Sequence, residues 1–309
     1  MNKPSDVLEI RESNFYNEYA KKDIKIASIG DIHLSKLVGE KDINNINETL
    51  HKENPDYICL LGDIIDSPKE LTIEKNIENL NTLIKNCSSI APTMIIIGNH
   101  DYEKNSDLSD ELNIWNEINK IRNVYVLNDN TYSDKRILIG GYTQKREAYG
   151  SKRNTHHEDS IAFYNDFISH SNLYEELKDD VPKILLTHSP ESINNLKVEE
   201  LLSVYDLIIT GHYHNGCVPS FLENIYPKNA GIITPKFKVF PKTARGIIKL
   251  ESGNYLIYSG GWTKLSSCSP IICHPLDTLC NRQIDVITLT SNKEYKNESI
   301  KTKKLVLKK

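Results

Sequence analysis

The sequence predicts an α/β fold whose functional groups gather at the carboxyl ends of buried strands. Two observations lead there. Five short apolar runs, IASIG, YICLL, TMIII, KILLT and DLIIT, each end in a cluster of metal-ligating residue types. Helical periodicity appears between them, so the order reads βαβαβα before giving way to strand-rich sequence. A buried strand reads as a continuous β-rich apolar run, and open α/β sheets bind ligands outside the carboxyl ends of their strands. The five clusters are therefore expected to share one crevice.

Taken in order, residues 1–22 are polar and lack strict periodicity, which predicts an N-terminal arm or a short preceding helix. The first run delivers Asp31 and His33, and the second delivers Gly62 and Asp63 with Asp66 three residues on. Ser67 and Pro68 fit the N-cap and first position of a helix with the apolar stripe Ile73, Ile77, Leu80, Ile84 and Cys87. The third run ends in Gly98, Asn99, His100 and Asp101, ahead of a helix carrying Leu108, Leu112, Trp115 and Ile118. Strands at about 123–127 and 136–140 follow, then a helix over 158–174 with Ile161, Tyr164, Phe167 and Ile168 on one face. The fourth run delivers His188, and Ser189-Pro190 repeats the helix-start signal. The fifth delivers Gly211, His212 and His214, and YLIYSGG and QIDVITLT supply late strands.

Residues 23–309 read as a single domain, without internal repeat or low-complexity linker. Two segments interrupt the alternation: basic residues 142–157, and a Pro-, Gly-, Lys- and aromatic-rich connection at 215–245. Connections this long tend to carry function, and both are expected at the rim where the clusters emerge.

Composition narrows the class. The 309 residues are 26% charged and 39% hydrophobic with a net charge of −4, ordinary for a globular protein and unfavourable for general nucleic-acid affinity. No run of about 18 apolar residues indicates a transmembrane helix, and the N-terminus lacks the apolar core of a signal peptide. With Cys59 inside an apolar strand, a cytoplasmic, reducing compartment is the simplest reading. Cys268, Cys273 and Cys280 cluster near His274, but a second close ligand pair is missing, so ordinary thiols are favoured over a zinc site.

The ligand types predict a centre for two metal ions. Asp-x-His and His-x-His at a strand end place both side chains on one side, because strand side chains alternate with period two. Asp31, His33 and His214 can serve one ion, and Asn99, His188 and His212 the other. Asp63 suits the bridge, since a carboxylate offers two oxygens and its charge offsets cation repulsion. Oxygen and imidazole donors without cysteine suit Mn²⁺, Fe or Zn²⁺, with Mn²⁺ favoured for assay.

The series Asp31-x-His33, Gly62-Asp63-x-x-Asp66, Gly98-Asn99-His100-Asp101, His188 and Gly211-His212-x-His214 resembles the calcineurin-like metallophosphoesterase superfamily over about residues 24–214. In layout the chain is most similar to small bacterial members, which commonly carry an N-terminal membrane segment missing here. The resemblance implies a four-layer α/β/β/α sandwich and a dinuclear phosphoesterase site with the ligands above. It implies too that His100 faces the substrate, oriented by Asp66, and is no ligand. Asn215-Gly216-Cys217 stands where relatives have Gly-Gly-Gln, and Ser67 stands where several branches have a phosphate-holding Arg.

The expected activity is hydrolysis of a phosphomonoester or phosphodiester by direct attack of metal-bound hydroxide, with His100 as the acid or charge-stabilising group. Two alternatives share the motifs: a Mn-dependent nuclease of the double-strand-break-repair type, and a non-catalytic binding module. Arg146 and Arg153, with Lys145 and Lys152, are candidates for gripping the substrate phosphate, and His156 and His157 are left out of the site. The PKFKVFPKTAR stretch could rest on an anionic membrane or pack as a β-rich flap; its shortness and modest charge disfavour the membrane.

Overall fold

The computed structural model describes residues 3–102, 114–144, 157–169, 180–191, 193, 195–235, 238–263, 278–296 and 299–308. Its strands are β1 (Val7–Tyr16), β2 (Ile24–Ile29), β3 (Tyr57–Leu61), β4 (Thr93–Ile96), β5 (Val124–Val126), β6 (Asn130–Ser133), β7 (Leu138–Tyr142), β8 (Lys183–Thr187), β9 (Leu207–Thr210), β10 (Ile233–Thr234), β11 (Lys238–Val239), β12 (Gly246–Lys249), β13 (Tyr255–Tyr258), β14 (Arg282–Thr290) and β15 (Ser299–Val306). The helices are α1 (Glu40–Glu53), α2 (Glu74–Ile90), α3 (His157–Ser169) and α4 (Leu196–Leu201).

Alternation along the apolar strands assigns their side chains to separate cores and so sets the layers. On β2 to β4, Ile24, Ile26, Tyr57, Cys59, Leu61, Met94 and Ile96 meet Ile184, Leu186, Leu207 and Ile209 of β8 and β9 in an inter-sheet core. The opposite faces, through Ala27, Ile29, Ile58, Leu60 and Ile95, pack on Ile43, Ile46 and Leu50 of α1 and Leu80, Leu83 and Ile84 of α2. Leu185 and Ile208 turn outward to Tyr164 and Phe167 of α3 and Val198 of α4. The result is an α/β/β/α sandwich.

Among the described residues the first sheet runs β15-β1-β14-β2-β3-β4-β5 and the second β12-β13-β9-β8-β7-β6. β2 to β5 are mutually parallel, as are β7, β8, β9 and β13. The loops after β2, β3, β4, β8 and β9 thereby emerge at a common end. No described helix is long and apolar enough to cross a membrane.

The N-terminal arm is not an arm. Residues 7–16 form β1, which lies between β14, to which it is parallel, and the antiparallel edge strand β15. Leu8 and Ile10 face the helical layer, while Arg11, Ser13 and Phe15 are buried on the other face. Burial changes face midway, and two of the inward positions are polar, which hides the period-two signal. Arg11 is tolerated because its Nε donates to Asp285 and its Nη2 donates to the Tyr258 carbonyl at 2.7 Å.

Two helix starts also move. Pro68 opens a short 3₁₀ turn, Pro68–Thr72, and extended Ile73 (φ −103°, ψ 112°) separates it from α2. After β8, the peptide of Ser189 is clamped by Gln144, which donates to its carbonyl at 2.6 Å and accepts from its N–H at 2.8 Å. The helix begins only at Leu196, where the Asn195 side chain accepts from the Lys197 N–H. Of the second predicted helix, residues 114–118 are helical with Trp115 and Ile118 buried; Leu108 and Leu112 lie outside the described residues. Strand β6 was not anticipated. The 215–245 connection carries the β10–β11 ribbon, with Val239 and Phe240 exposed at its end. Cys280 is buried, its thiol facing the Val218 carbonyl, whereas Cys268, Cys273 and His274 lie outside the described residues.

Candidate metal centre

Sharp turns at the strand ends build the site. Asp31, His33, Asp63, His212 and His214 all adopt left-handed backbone conformations, with φ of 50°, 52°, 49°, 66° and 47°. Non-glycine residues rarely do so, and such concentrations of local strain persist where the surrounding structure enforces them. The enforcement here is a lattice of main-chain bonds: Asp31 N–H donates to Gly62 O at 3.1 Å and His33 N–H to Asp63 O at 3.0 Å. Gly98 lets the GNHD turn lie directly against Asp63, because a Cβ there would sit 2.3 Å from both the Asp63 nitrogen and Oδ1. Asp101 ties the two turns together. It accepts from Ile64 N–H at 2.8 Å, Ile65 N–H at 3.1 Å and Gly98 N–H at 2.8 Å.

Two donor sets of predicted ligands result. Asp31, His33 and His214 present ligand atoms within 4.8 Å of one another, and so do Asp63, His188 and His212; a third grouping, His33 with Asp66 and His100, overlaps the first at His33. Asp63 Oδ2 sits between the sets, 3.1 Å from His188 Nε2 and 3.9 Å from His33 Nε2. Asp31 Oδ1 is 3.6 Å from His214 Nε2. Asn99 precedes His100 in the turn against Asp63, where the His100 N–H donates to Asp63 Oδ1 at 2.7 Å.

Main-chain carbonyls fix the imidazole tautomers. A carbonyl oxygen only accepts, so Nδ1 must donate where His188 meets Leu61 O at 2.7 Å and His214 meets Thr263 O at 2.9 Å. Nε2 of each ring is the atom turned toward the carboxylates of the centre, and it becomes a ligand when it gives up its proton to a bound cation.

Charge is equally organised. Burial alone would raise the Asp63 carboxyl, but His188, His100 and His33 outweigh it and hold Asp63 well below the carboxylate range. Burial lowers His188, yet the adjacent Asp63 carboxylate keeps it up at about 9. His212, buried and next to His188, is pushed well below its ordinary value and stays neutral. Burial and the Asp63 charge raise Asp101 to about 7.

These residues fit divalent cations. Asn99 Oδ1 and His33 Nε2 are buried without a hydrogen-bond partner among the described residues, a costly state that a coordinated ion relieves. The donors are carboxylate, amide oxygen and imidazole, the mixture suited to hard and borderline divalent metals.

Asp31, His33, Asp63, His188, His212 and His214 thus come together at one end of the sandwich. The predicted Asp66–His100 relationship takes a different form. His100 Nδ1 donates to the main-chain carbonyl of Asp66 at 2.8 Å, while the Asp66 carboxylate lies 3.2 Å from Nδ1 of His33. His100 is half-buried, its ring edge-on to His33 with centroids 4.8 Å apart. Arg146 and Arg153, with Lys145 and Lys152, lie outside the described residues.

One contributor went unread in the sequence. The segment after β13 closes the centre from behind: Trp262 N–H donates to Gly30 O, Thr263 N–H and Oγ1 both donate to Asp31 O, and Thr263 O holds His214. The available signal was YLIYSGG, an apolar run ending in glycines like those that deliver the ligands.

A model of the calcineurin-like phosphoesterase family matches residues 24–216, the span that carries every one of these ligands. The chain belongs to that family. It is 26% identical over 202 residues to an uncharacterized metallophosphoesterase of Campylobacter jejuni, covering 65% of this chain and 47% of that one. A Helicobacter pylori metallophosphoesterase, also uncharacterized, is 24% identical over 217 residues, covering 69% of this chain and 50% of its own length. The chain spans about half the length of these curated relatives. Among solved structures, a dimetal phosphatase from Danio rerio is similar with a TM-score of 0.43 and 13% identity, covering 78% of this chain and 88% of that one.

Proposed function

We propose that this calcineurin-like phosphoesterase hydrolyses a phosphate monoester or diester at a two-cation centre, with Asp31, His33 and His214 on one side, Asn99, His188 and His212 on the other, and Asp63 shared. The observation that carries this reading is the position of Asp63 Oδ2, within 3.1 Å of His188 Nε2 and 3.9 Å of His33 Nε2. A carboxylate so placed is a natural bridge. When bound, two divalent cations lower the pKa of a water molecule and neutralise phosphate charge as it builds.

The chain's own residues do the rest. Leu61 O, Thr263 O and the Asp66 carboxylate lock the imidazoles so that their Nε2 atoms converge. His100 stands beside the shared carboxylate but is turned by the Asp66 carbonyl. With Nδ1–H committed to that carbonyl, its Nε2 is the atom left to protonate the departing ester oxygen or to stabilise charge on phosphorus. Mn²⁺ is the working metal for assay.

The test is hydrolysis of bis-p-nitrophenyl phosphate against p-nitrophenyl phosphate with Mn²⁺, Zn²⁺ or Fe²⁺, alongside metal analysis. Wild-type protein is expected to turn over at least one ester, and Asp63→Asn to lose both metal and activity. Full turnover in Asp63→Asn removes the proposal.

A further inference from the structure

The 215–245 connection begins directly after the ligand His214 and stays tied to that end of the sandwich, with Ile232 N–H donating to Gly216 O at 2.8 Å. It is a folded element. Phe221 and Ile225 stand four residues apart in a helix-like turn, where Tyr226 N–H donates to Leu222 O at 2.8 Å, and so share a face. Tyr226 Oη then donates to Gly231 O at 3.1 Å, and Gly231 N–H to Pro241 O at 3.0 Å. These bonds join the turn that carries Phe221 and Ile225 to the β10–β11 ribbon and the Val239-Phe240 pair at its end.

The apolar side chains of this element do not pack. Phe221, Ile225, Val239 and Phe240 are 68%, 77%, 61% and 70% exposed. The exposure is also one-sided. Among the described residues ten large apolar side chains are exposed, and these four, Leu37 and Leu196 all lie in connections that follow the ligand-bearing strands β2, β8 and β9. Exposed apolar groups gathered in this way mark an interaction surface.

Charge selects the occupant. Residues 215–245 carry Lys228, Lys236, Lys238, Lys242 and Arg245 against one acid, Glu223, a net charge of +4 within a chain of net charge −4. Glu223 is paired with Lys304 at 3.5 Å, whereas Lys228, Lys238 and Lys242 are exposed and enter no ion pair among the described residues. An anionic bilayer complements both features, since acyl chains receive the apolar side chains and headgroups receive the ammonium groups. The shortness of PKFKVFPKTAR weighs against a membrane in the sequence; the fold adds Phe221, Ile225 and Lys228 to it.

We propose that the 215–245 connection is a membrane-docking element that rests Phe221, Ile225, Val239 and Phe240 on an anionic lipid surface and brings the metal-bearing end of the sandwich to it. The docking is independent of what the metal centre hydrolyses.

Sedimentation of the full, metal-loaded chain with lipid vesicles tests it. Wild type is expected to pellet with phosphatidylcholine vesicles that contain phosphatidylglycerol, far less with phosphatidylcholine alone, and less as salt rises. Lys238→Gln/Lys242→Gln is expected to weaken binding about 10- to 30-fold, each lysine near an anionic surface contributing a factor of roughly five. Val239→Ser/Phe240→Asn is expected to weaken it about tenfold or more through lost apolar area. Asn suits position 240 because the backbone there is left-handed, with φ 51°. Phe221→Ser, in the separate turn, guards against misfolding of the ribbon and is expected to weaken binding about threefold or more.

All three variants change exposed positions and are expected to melt as wild type does. No vesicle binding by wild type, equal binding to the two vesicle types, or equal binding by wild type and all three variants overturns the proposal. Self-association without vesicles that Val239→Ser/Phe240→Asn abolishes makes a second copy of the chain the occupant, and overturns it as well.

Discussion

The Asp66 carboxylate lies 3.2 Å from Nδ1 of His33, and it is the Asp66 main-chain carbonyl that takes Nδ1 of His100, at 2.8 Å. One residue therefore orients two imidazoles by different atoms. Only the first of these contacts depends on the side chain. In Asp66→Asn the His100 ring keeps its partner, while His33 loses a charged one. Metal affinity is expected to fall about 10- to 100-fold, the usual cost of removing a residue that orients a ligand. Turnover at saturating metal should change little. Metal titration followed by activity gives both values; a large loss of kcat with unchanged affinity would place the carboxylate on His100 instead.

His100→Ala is expected to behave in the opposite way. Its Nδ1 is committed to the Asp66 carbonyl at 2.8 Å. Turnover should drop by about 10²–10⁴-fold, the contribution of a positioned proton donor, with bound metal retained. Elemental analysis of the variant separates this role from ligation.

Gly98→Ala tests the close approach of the two turns. The added Cβ would lie 2.3 Å from Asp63 N and Oδ1, neither of which is the end of a flexible chain. The variant is expected to lose about 1–3 kcal/mol of stability through overpacking, and to bind metal poorly because Asp63 must move. Thermal melts with and without added Mn²⁺ measure both effects, the metal-dependent rise being smaller than in wild type.

The buried Arg11–Asp285 pair joins β1 to β14, with side chains 8% and 1% exposed. Arg11→Leu alone leaves Asp285 charged in the core and should cost about 3–5 kcal/mol. The double variant Arg11→Leu/Asp285→Leu removes both charges and should recover much of that loss. A denaturant-based double-mutant cycle reads the coupling directly.

Acid stability should depend on Asp134. Burial alone would raise its carboxyl, but the Tyr57 hydroxyl, the Arg136 N–H, the Tyr132 hydroxyl and the Ile137 N–H all donate to it and hold it below the ordinary value. A folded pKa below the unfolded one gives stability that is present above the unfolded carboxylate value, about 3.9, and is lost as pH falls through the folded value. Asp134→Asn should therefore be less stable than wild type at neutral pH, the gap closing in acid. Melting temperatures at pH 7 and pH 3 test the sign.

The sequence by itself determined which candidate ligand residues gather and the end of the sheet on which they sit. Both follow from local rules: apolar runs long enough only for buried strands, and a glycine at the exit of four of the five runs. The period-two argument for Asp31-x-His33 and His212-x-His214 does not hold, since all four stand in left-handed turns beyond the strand ends. Those rules say nothing about contacts between distant segments. Arg11 is 274 residues from its partner Asp285, and no periodicity in VLEIRESNFY points to it, so β1 read as an arm. The choice between the two acceptors on Asp66 and the closure of the centre by Thr263 were decided in the same way. Each depends on where a main-chain carbonyl or a buried charge comes to rest once the two sheets have packed. That is a property of the assembled backbone, which local residue type leaves open.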